Sequence, residues 1–126
     1  MGILTGVSLT VKRGAKLNRT FRLTDKNGTP VDLSAYVARV QVRPKVTSTT
    51  VLAFLNETGP PGPDGTTLVD GPAGEVNLFV GGDVTLGWTF DHGTFDIRMV
   101  NTGDPEDSFF LVEDGILDVK PSNTQI

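Results

Sequence analysis

Cysteine is absent from the 126-residue chain, and histidine, tryptophan and tyrosine each occur once. Without cysteine there is no disulfide framework, no thiolate metal site and no thiol nucleophile. With one histidine, a general base of the commonest kind could only be His92, in "TFDHGTF", a turn between Phe90 and Phe95. No nucleophile or substrate proton is signalled beside it, so it reads as a solvent-exposed turn residue. Long hydrophobic runs are missing too. No stretch approaches the roughly 20 apolar residues needed to cross a bilayer, and the amino terminus lacks the apolar centre of a secretory signal. The expectation is a soluble chain made in the cytosol, with no membrane partner. Phosphate loops and dinucleotide fingerprints are also lacking, so no cofactor is expected.

What the sequence does have is alternation. Val7, Leu9 and Val11 alternate with Ser8, Thr10 and Lys12, the period-two pattern of a strand with one buried face. Residues 17–24 repeat it with Leu17, Phe21 and Leu23 inward. Arg19 falls on the inward parity, which fits a strand end or a bulge where its stem can snorkel. Asp25-Lys26-Asn27-Gly28 supplies a tight turn, because Asn-Gly tolerates positive φ. Tyr36, Ala38, Val40 and Val42 form the next inward row, with Val37, Arg39, Gln41 and Arg43 outward, and Val51 to Leu55 a fourth strand apolar on both faces.

Residues 58–74, "TGPPGPDGTTLVDGPAG", read as a Pro/Gly surface loop, since two Gly-X-Y triplets are far too few for a collagen helix. Order resumes at Val76, Leu78 and Val80, and residues 81–87 read as a turn or single helical turn before Trp88, expected as a core plug. Phe95, Ile97 and Met99 point in, with Asp96, Arg98 and Val100 opposite. After an acidic hairpin loop at residues 102–107, a last strand pair runs from Phe109 to Val119 with Gly115 as its bulge. Along it Phe110, Val112 and Ile116 share one parity and give an exposed apolar face. The spacing of about eight to twelve residues predicts one domain over residues 1–126. Its expected fold is an antiparallel immunoglobulin-like β-sandwich of about seven strands, with a small partly open β-barrel as the alternative.

Charge is divided along the chain. Residues 1–45 hold nine of the eleven Lys and Arg against Asp25 and Asp32, whereas residues 46–126 hold thirteen acids against Arg98 and Lys120. Either the two halves pair side by side within the domain, the favoured reading, or a basic face on one copy meets an acidic face on another copy or a partner. The overall acidity argues against nucleic acid. Asp104, Glu106 and Asp107 could offer oxygen ligands to a cation but lack the spacing of a calcium loop, so no metal site is assigned. The carboxylates show no sign of a cleft around them, and no catalytic residues are assigned.

The stretch "VKRGAKLNRTFRLTDKNGTPVDLSAYVARVQVRP" resembles the opening of a group of tailed-bacteriophage virion proteins, which includes the N-terminal domain of upper baseplate proteins that carry receptor-binding proteins. The family pattern "D-x-x-G-x-P-(V/I)-D-L-(S/T)-x-(Y/A)" is met by Asp25, Gly28, Pro30, Val31, Asp32, Leu33, Ser34 and Tyr36. The following "A-R-x-Q-(V/I)-R" is met by Ala38, Arg39, Gln41, Val42 and Arg43. Towards the other end, Gly93, Phe95, Asp96, Ile97 and Met99, then Leu111, Gly115, Leu117 and Val119, match the family's closing strands. Ala15-Lys16 and the 58–74 loop depart from it. The resemblance implies a non-enzymatic virion structural protein, assembled in the host cytoplasm, of the tail, baseplate or fibre-attachment apparatus. Its partners would be other virion proteins and further copies of itself. A capsid decoration or head-to-tail joining protein, and a carbohydrate or host-surface binding module built on Trp88, Asp91 and His92, are the alternatives. The candidate assembly interface comprises Phe110, Val112, Ile116, Arg39 and Arg43.

Overall fold

The computed structural model describes Leu4 and residues 6–45, 48–57 and 64–121. The alternating segments form strands β1 (Ser8–Lys12), β2 (Leu17–Arg22), β3 (Tyr36–Arg43), β4 (Ala53–Asn56), β5 (Gly65–Asp70), β6 (Glu75–Val80), β7 (His92–Asn101) and β8 (Ser108–Lys120). One helical turn, α1 (Gly82–Leu86), precedes β7. All eight strands belong to a single sheet in the order β1-β8-β7-β3-β4-β5-β6-β2.

That order dictates the shape. β1 and β2 are joined by a short turn at residues 13–16, yet they occupy opposite edges of the sheet. The sheet must therefore curl until its edges approach, and strand twist supplies the curl. The fold is all-β and nearly closed like a barrel, the second of the two architectures expected. The inward rows of both edges and of the middle strands meet in one core: Leu9, Leu17, Val40, Leu55, Leu78 and Phe95 line a common void of about 10 Å³. A void that size holds one water at most, so side chains fill the interior.

The sheet departs from the sequence reading in four ways. It is mixed, because β1 pairs with β8 and β4 with β5 in parallel. It has an extra strand, β5, inside the segment read as loop, of which residues 58–63 lie outside the described residues. The inward row of β5 is Gly65, Thr67 and Val69, which carries little hydrophobic signal. Thr67 is nonetheless buried, its hydroxyl donating to the Ala38 carbonyl at 2.7 Å. The last segment is one long strand rather than a pair.

Finally, the bulges of β8 do not fall at Gly115. Gly115 sits in register opposite Phe95, and the register slips on either side of the Ile97–Val112 pair. Asp114 takes the positive φ of 58°, with its amide donating to the Asp96 carboxylate at 2.9 Å. A bulge turns two successive side chains to one side. Leu111 and Val112 consequently both point into the core, each 0% exposed.

The open end between β1 and β2 is tied down by polar contacts. Thr85 of α1, fully buried, accepts from the Gly14 amide at 3.1 Å and donates to the Ala15 carbonyl at 2.7 Å. The Arg13 guanidinium donates to the carbonyls of Trp88 (2.7 Å) and Phe90 (2.9 Å) and to Asp91 (2.8 Å). Trp88 is thereby held as a core residue, 8% exposed. Arg19, on the inward parity of edge strand β2, is exposed and lies over the Phe21 ring at 5.8 Å. An inward-pointing charge on an edge discourages edge-to-edge pairing.

The Asn27-Gly28 turn forms as expected, with Gly28 at φ 81° and the Asp25 carboxylate accepting from the amides of Asn27 and Thr29. It closes only the single bridge Thr24–Pro30. Leu33 anchors the segment at 1% exposure. The hydroxyl and amide of Ser34 both donate to Asp32, holding its carboxyl below the usual range.

Candidate functional site

Because β3 is the common neighbour of β4 and β7, and β7 of β8, the outward residues of these four strands form one continuous wall. Arg39 stands directly opposite Arg98, and Arg98 opposite Phe110. In the adjoining row Gln41 lies between Phe54 and Asp96, and beyond that Arg43 faces Thr94, which faces Ile116. Arg39, Gln41, Arg43, Phe54, Asp96, Arg98 and Phe110 enclose a surface groove of about 460 Å³. The β8 bulges bring Phe110 to this wall: they carry Leu111 and Val112 inward and leave the preceding residue outward beside Arg98.

Charge in the groove is unbalanced. Three guanidinium groups share it with one carboxylate, Asp96, which is engaged by the Asp114 amide. Arg39 reaches Glu57 at 3.3 Å, an exposed pair of small net value. Arg43 donates to the Gln41 side chain at 2.6 Å and to the Ser48 carbonyl at 3.3 Å. Arg98 makes no ion pair with any described residue.

Of the residues expected to form an assembly face, the structure brings Arg39, Arg43 and Phe110 together. It puts Ile116, 39% exposed, on the same wall just past the groove. Val112 is a correction, since the bulge buries it completely. Sequence reasoning missed Phe54, Gln41, Asp96 and Arg98 as parts of this site. Alternation put Gln41, Asp96 and Arg98 on outward faces, but only the β3–β7 pairing reveals that the two arginines face each other.

The acidic hairpin between β7 and β8 lies at the end of the barrel. Asn101 Oδ1 accepts from the amides of Gly103 (2.9 Å) and Asp104 (3.1 Å), and Asp104 accepts from the Glu106 amide at 3.3 Å. Asp107 accepts from the Tyr36 hydroxyl at 2.9 Å and the Asn101 amide at 3.2 Å. That hydrogen bond, followed by desolvation and the neighbouring negative charge, pushes the Tyr36 phenol above its ordinary pKa. Among the described residues no group of three or more His, Asp or Glu is placed to hold a metal ion. His92, at the start of β7, is exposed and lies 2.8 Å from Asp118 on β8.

The oppositely charged halves meet inside the domain. Arg13–Asp91, Arg22–Glu75 and Arg39–Glu57 each join a base from residues 1–45 to an acid from the remainder. The burial of Trp88 removes the ring that a carbohydrate platform beside Asp91 and His92 would need.

No protein-family model matches the chain, and a search of curated proteins finds no match.

Proposed function

We propose that the protein is a non-enzymatic structural component of a tailed-bacteriophage virion, of the tail, baseplate or fibre-attachment apparatus, and that it acts through the outer wall of β3, β4, β7 and β8. The observation that carries the reading is the arginine-rich groove: a rigid barrel wall holding Arg39, Arg43 and Arg98 beside Phe54 and Phe110 suits an acidic protein surface. Charged groups held on strands keep their geometry from copy to copy, as a symmetric particle requires. The resemblance of residues 11–44 and 93–119 to phage virion proteins supports the same reading.

The test is composition and position in the particle. Mass spectrometry of density-purified tailed particles should find the chain in many copies, and labelled antibody should decorate the tail or its tip under the electron microscope. Decoration of the head or neck would assign it instead to capsid decoration or head-to-tail joining. Absence from purified particles, with the chain abundant in the lysate, would end the virion reading.

A further inference from the structure

We infer that the groove on β3, β4, β7 and β8 receives the acidic β7–β8 hairpin, residues 102–107, of a second copy of this chain. The inference rests on the assembly reading above and names the occupant of its surface.

The first ground is the groove's unmet charge. Arg39 and Arg98 are directly opposed across two strands, an arrangement that destabilises a sheet unless an anion lies between the guanidinium groups. Asp96, the groove's one carboxylate, lies in the adjoining row opposite Gln41 with one oxygen accepting from the Asp114 amide; Arg39 has only its exposed contact with Glu57, and Arg98 pairs with no described residue. A carboxylate entering from outside would relieve the repulsion and take charge-assisted hydrogen bonds from planar, preorganised donors. Phe54 and Phe110 supply apolar walls that exclude water from those bonds.

The second ground is the shape of the hairpin. Asp104 and Glu106 are exposed and form no ion pair with any described residue. Their backbone is fixed by the Asn101 and Asp104 side chains, so little ordering entropy is lost on docking. Pro105 between them offers a small apolar contact to the phenylalanines.

The hairpin cannot reach the groove of its own chain. Thr102 donates its amide to the Ala35 carbonyl at 2.9 Å and Asp107 is bonded to Tyr36, which pins the tip at the barrel's end. The Val37–Val100–Ser108 row separates that end from the Arg39–Arg98–Phe110 row. Groove and hairpin are different patches, so the contact is head to tail and builds a ring or a filament.

Charge reversal tests this in the full chain by light scattering. The unaltered protein should form rings or filaments at low ionic strength and dissociate at about 1 M salt, where screening acts within about 3 Å. Arg39→Glu with Arg98→Glu in one chain, and Asp104→Lys with Glu106→Lys in another, should each associate about tenfold or more weakly alone. Mixing the two should restore assembly, because each acidic groove then meets a basic hairpin and each basic groove an acidic one. Thermal melts establish that both chains are folded, and Arg98→Gln, which should also weaken assembly, serves if reversal unfolds the chain.

An unaltered protein that stays monomeric at low salt overturns the inference, as does a mixture that fails to reassemble. A monomer that enters phage particles, but is shut out by Arg98→Glu, would leave the virion function standing and make the occupant another acidic protein. Restored assembly of a chain absent from particles would keep the groove and hairpin pairing and refute the virion function.

Discussion

On the wall made by β2, β5 and β6, Arg22 stands directly opposite Glu75, and the Asn77 amide donates to both Asn18 and Thr20. On the wall made by β3, β7 and β8, Arg39 stands opposite Arg98 with no described residue bridging them. The first wall has an unbroken register, and in its charged row Glu75 stands between Arg22, which pairs with it, and the carboxylate of Asp70. The second is interrupted by the β8 bulges; its Arg39 reaches Glu57 in an exposed pair, and its Arg98 forms no ion pair with any described residue. Beneath both walls the chain is equally well packed: Leu78 is 1% exposed and Ile97 0%. The difference is confined to the outer surface, where stability constrains sequence least.

The largest effect separates inside from outside on the bulged wall. Val112→Asp would bury an unpaired carboxylate at a site with no solvent contact, and a loss of about 4 kcal/mol or more is expected. Phe110→Ala and Ile116→Ala, on the same strand but outward, should each cost about 1 kcal/mol or less while weakening assembly. Urea denaturation measures all three. Comparable losses at Val112 and Phe110 would mean that Phe110 is a core residue and that the groove is not a surface.

Next in size are two glycines, one under each wall. A Cβ at Gly65 would lie 2.4 Å from the backbone carbonyl oxygen of Phe79, and one at Gly115 would lie 2.6 Å from the Phe95 ring. Gly65→Ala and Gly115→Ala are each expected to destabilise by about 1–3 kcal/mol. Gly65 should be the worse, because a ladder carbonyl cannot rotate away whereas a ring can shift. The reverse order in thermal melts would show that the regular wall yields more easily than the bulged one.

Most strand residues and the inward rows could be read from alternation, because period two is a local property: Leu9 and Val11, Ala38 to Val42, Val76 to Val80 and Phe95 to Met99 are all buried as their parity implies. The failures have particular causes. β5 was hidden because glycine and threonine occupy its inward row, and the threonine is made acceptable only by a hydrogen bond to a strand far away in sequence. Alternation places Val112 on the outward face, but a bulge inverts parity there, and the residue with positive φ is Asp114 rather than the neighbouring glycine. Of the site, Arg39, Arg43 and Phe110 were legible as outward residues. Their meeting with Arg98 and Phe54 depends on strand order, which alternation does not encode.

The opposed charge pairs allow a finer comparison. A double-mutant cycle on Arg22 and Glu75 should give a favourable coupling of about 0.2–1 kcal/mol. The same cycle on Arg39 and Arg98, both to alanine, should give a coupling of similar size and opposite sign, shrinking as salt is added. A favourable coupling between the two arginines would mean that a side chain already bridges them, leaving no unmet charge in the groove.

The smallest effect concerns the contact that ties the bulged wall to the acidic hairpin. Tyr36 donates to Asp107, so the folded state favours the neutral phenol and raises its pKa above the ordinary value of 10.0. A group whose pKa is higher folded than unfolded contributes its full stabilisation below the unfolded pKa and loses it as pH rises through the folded one. Stability should therefore fall on the alkaline side, starting near pH 10, more steeply in the unaltered protein than in Tyr36→Phe. Urea midpoints between pH 8 and pH 11 for the two chains measure the difference. Parallel curves would show that the hydrogen bond adds nothing in solution and that the hairpin is held by its turn contacts and by the Thr102–Ala35 bond. Curves that converge at high pH would show that the Tyr36–Asp107 bond stabilises the fold and is lost when the phenol ionises.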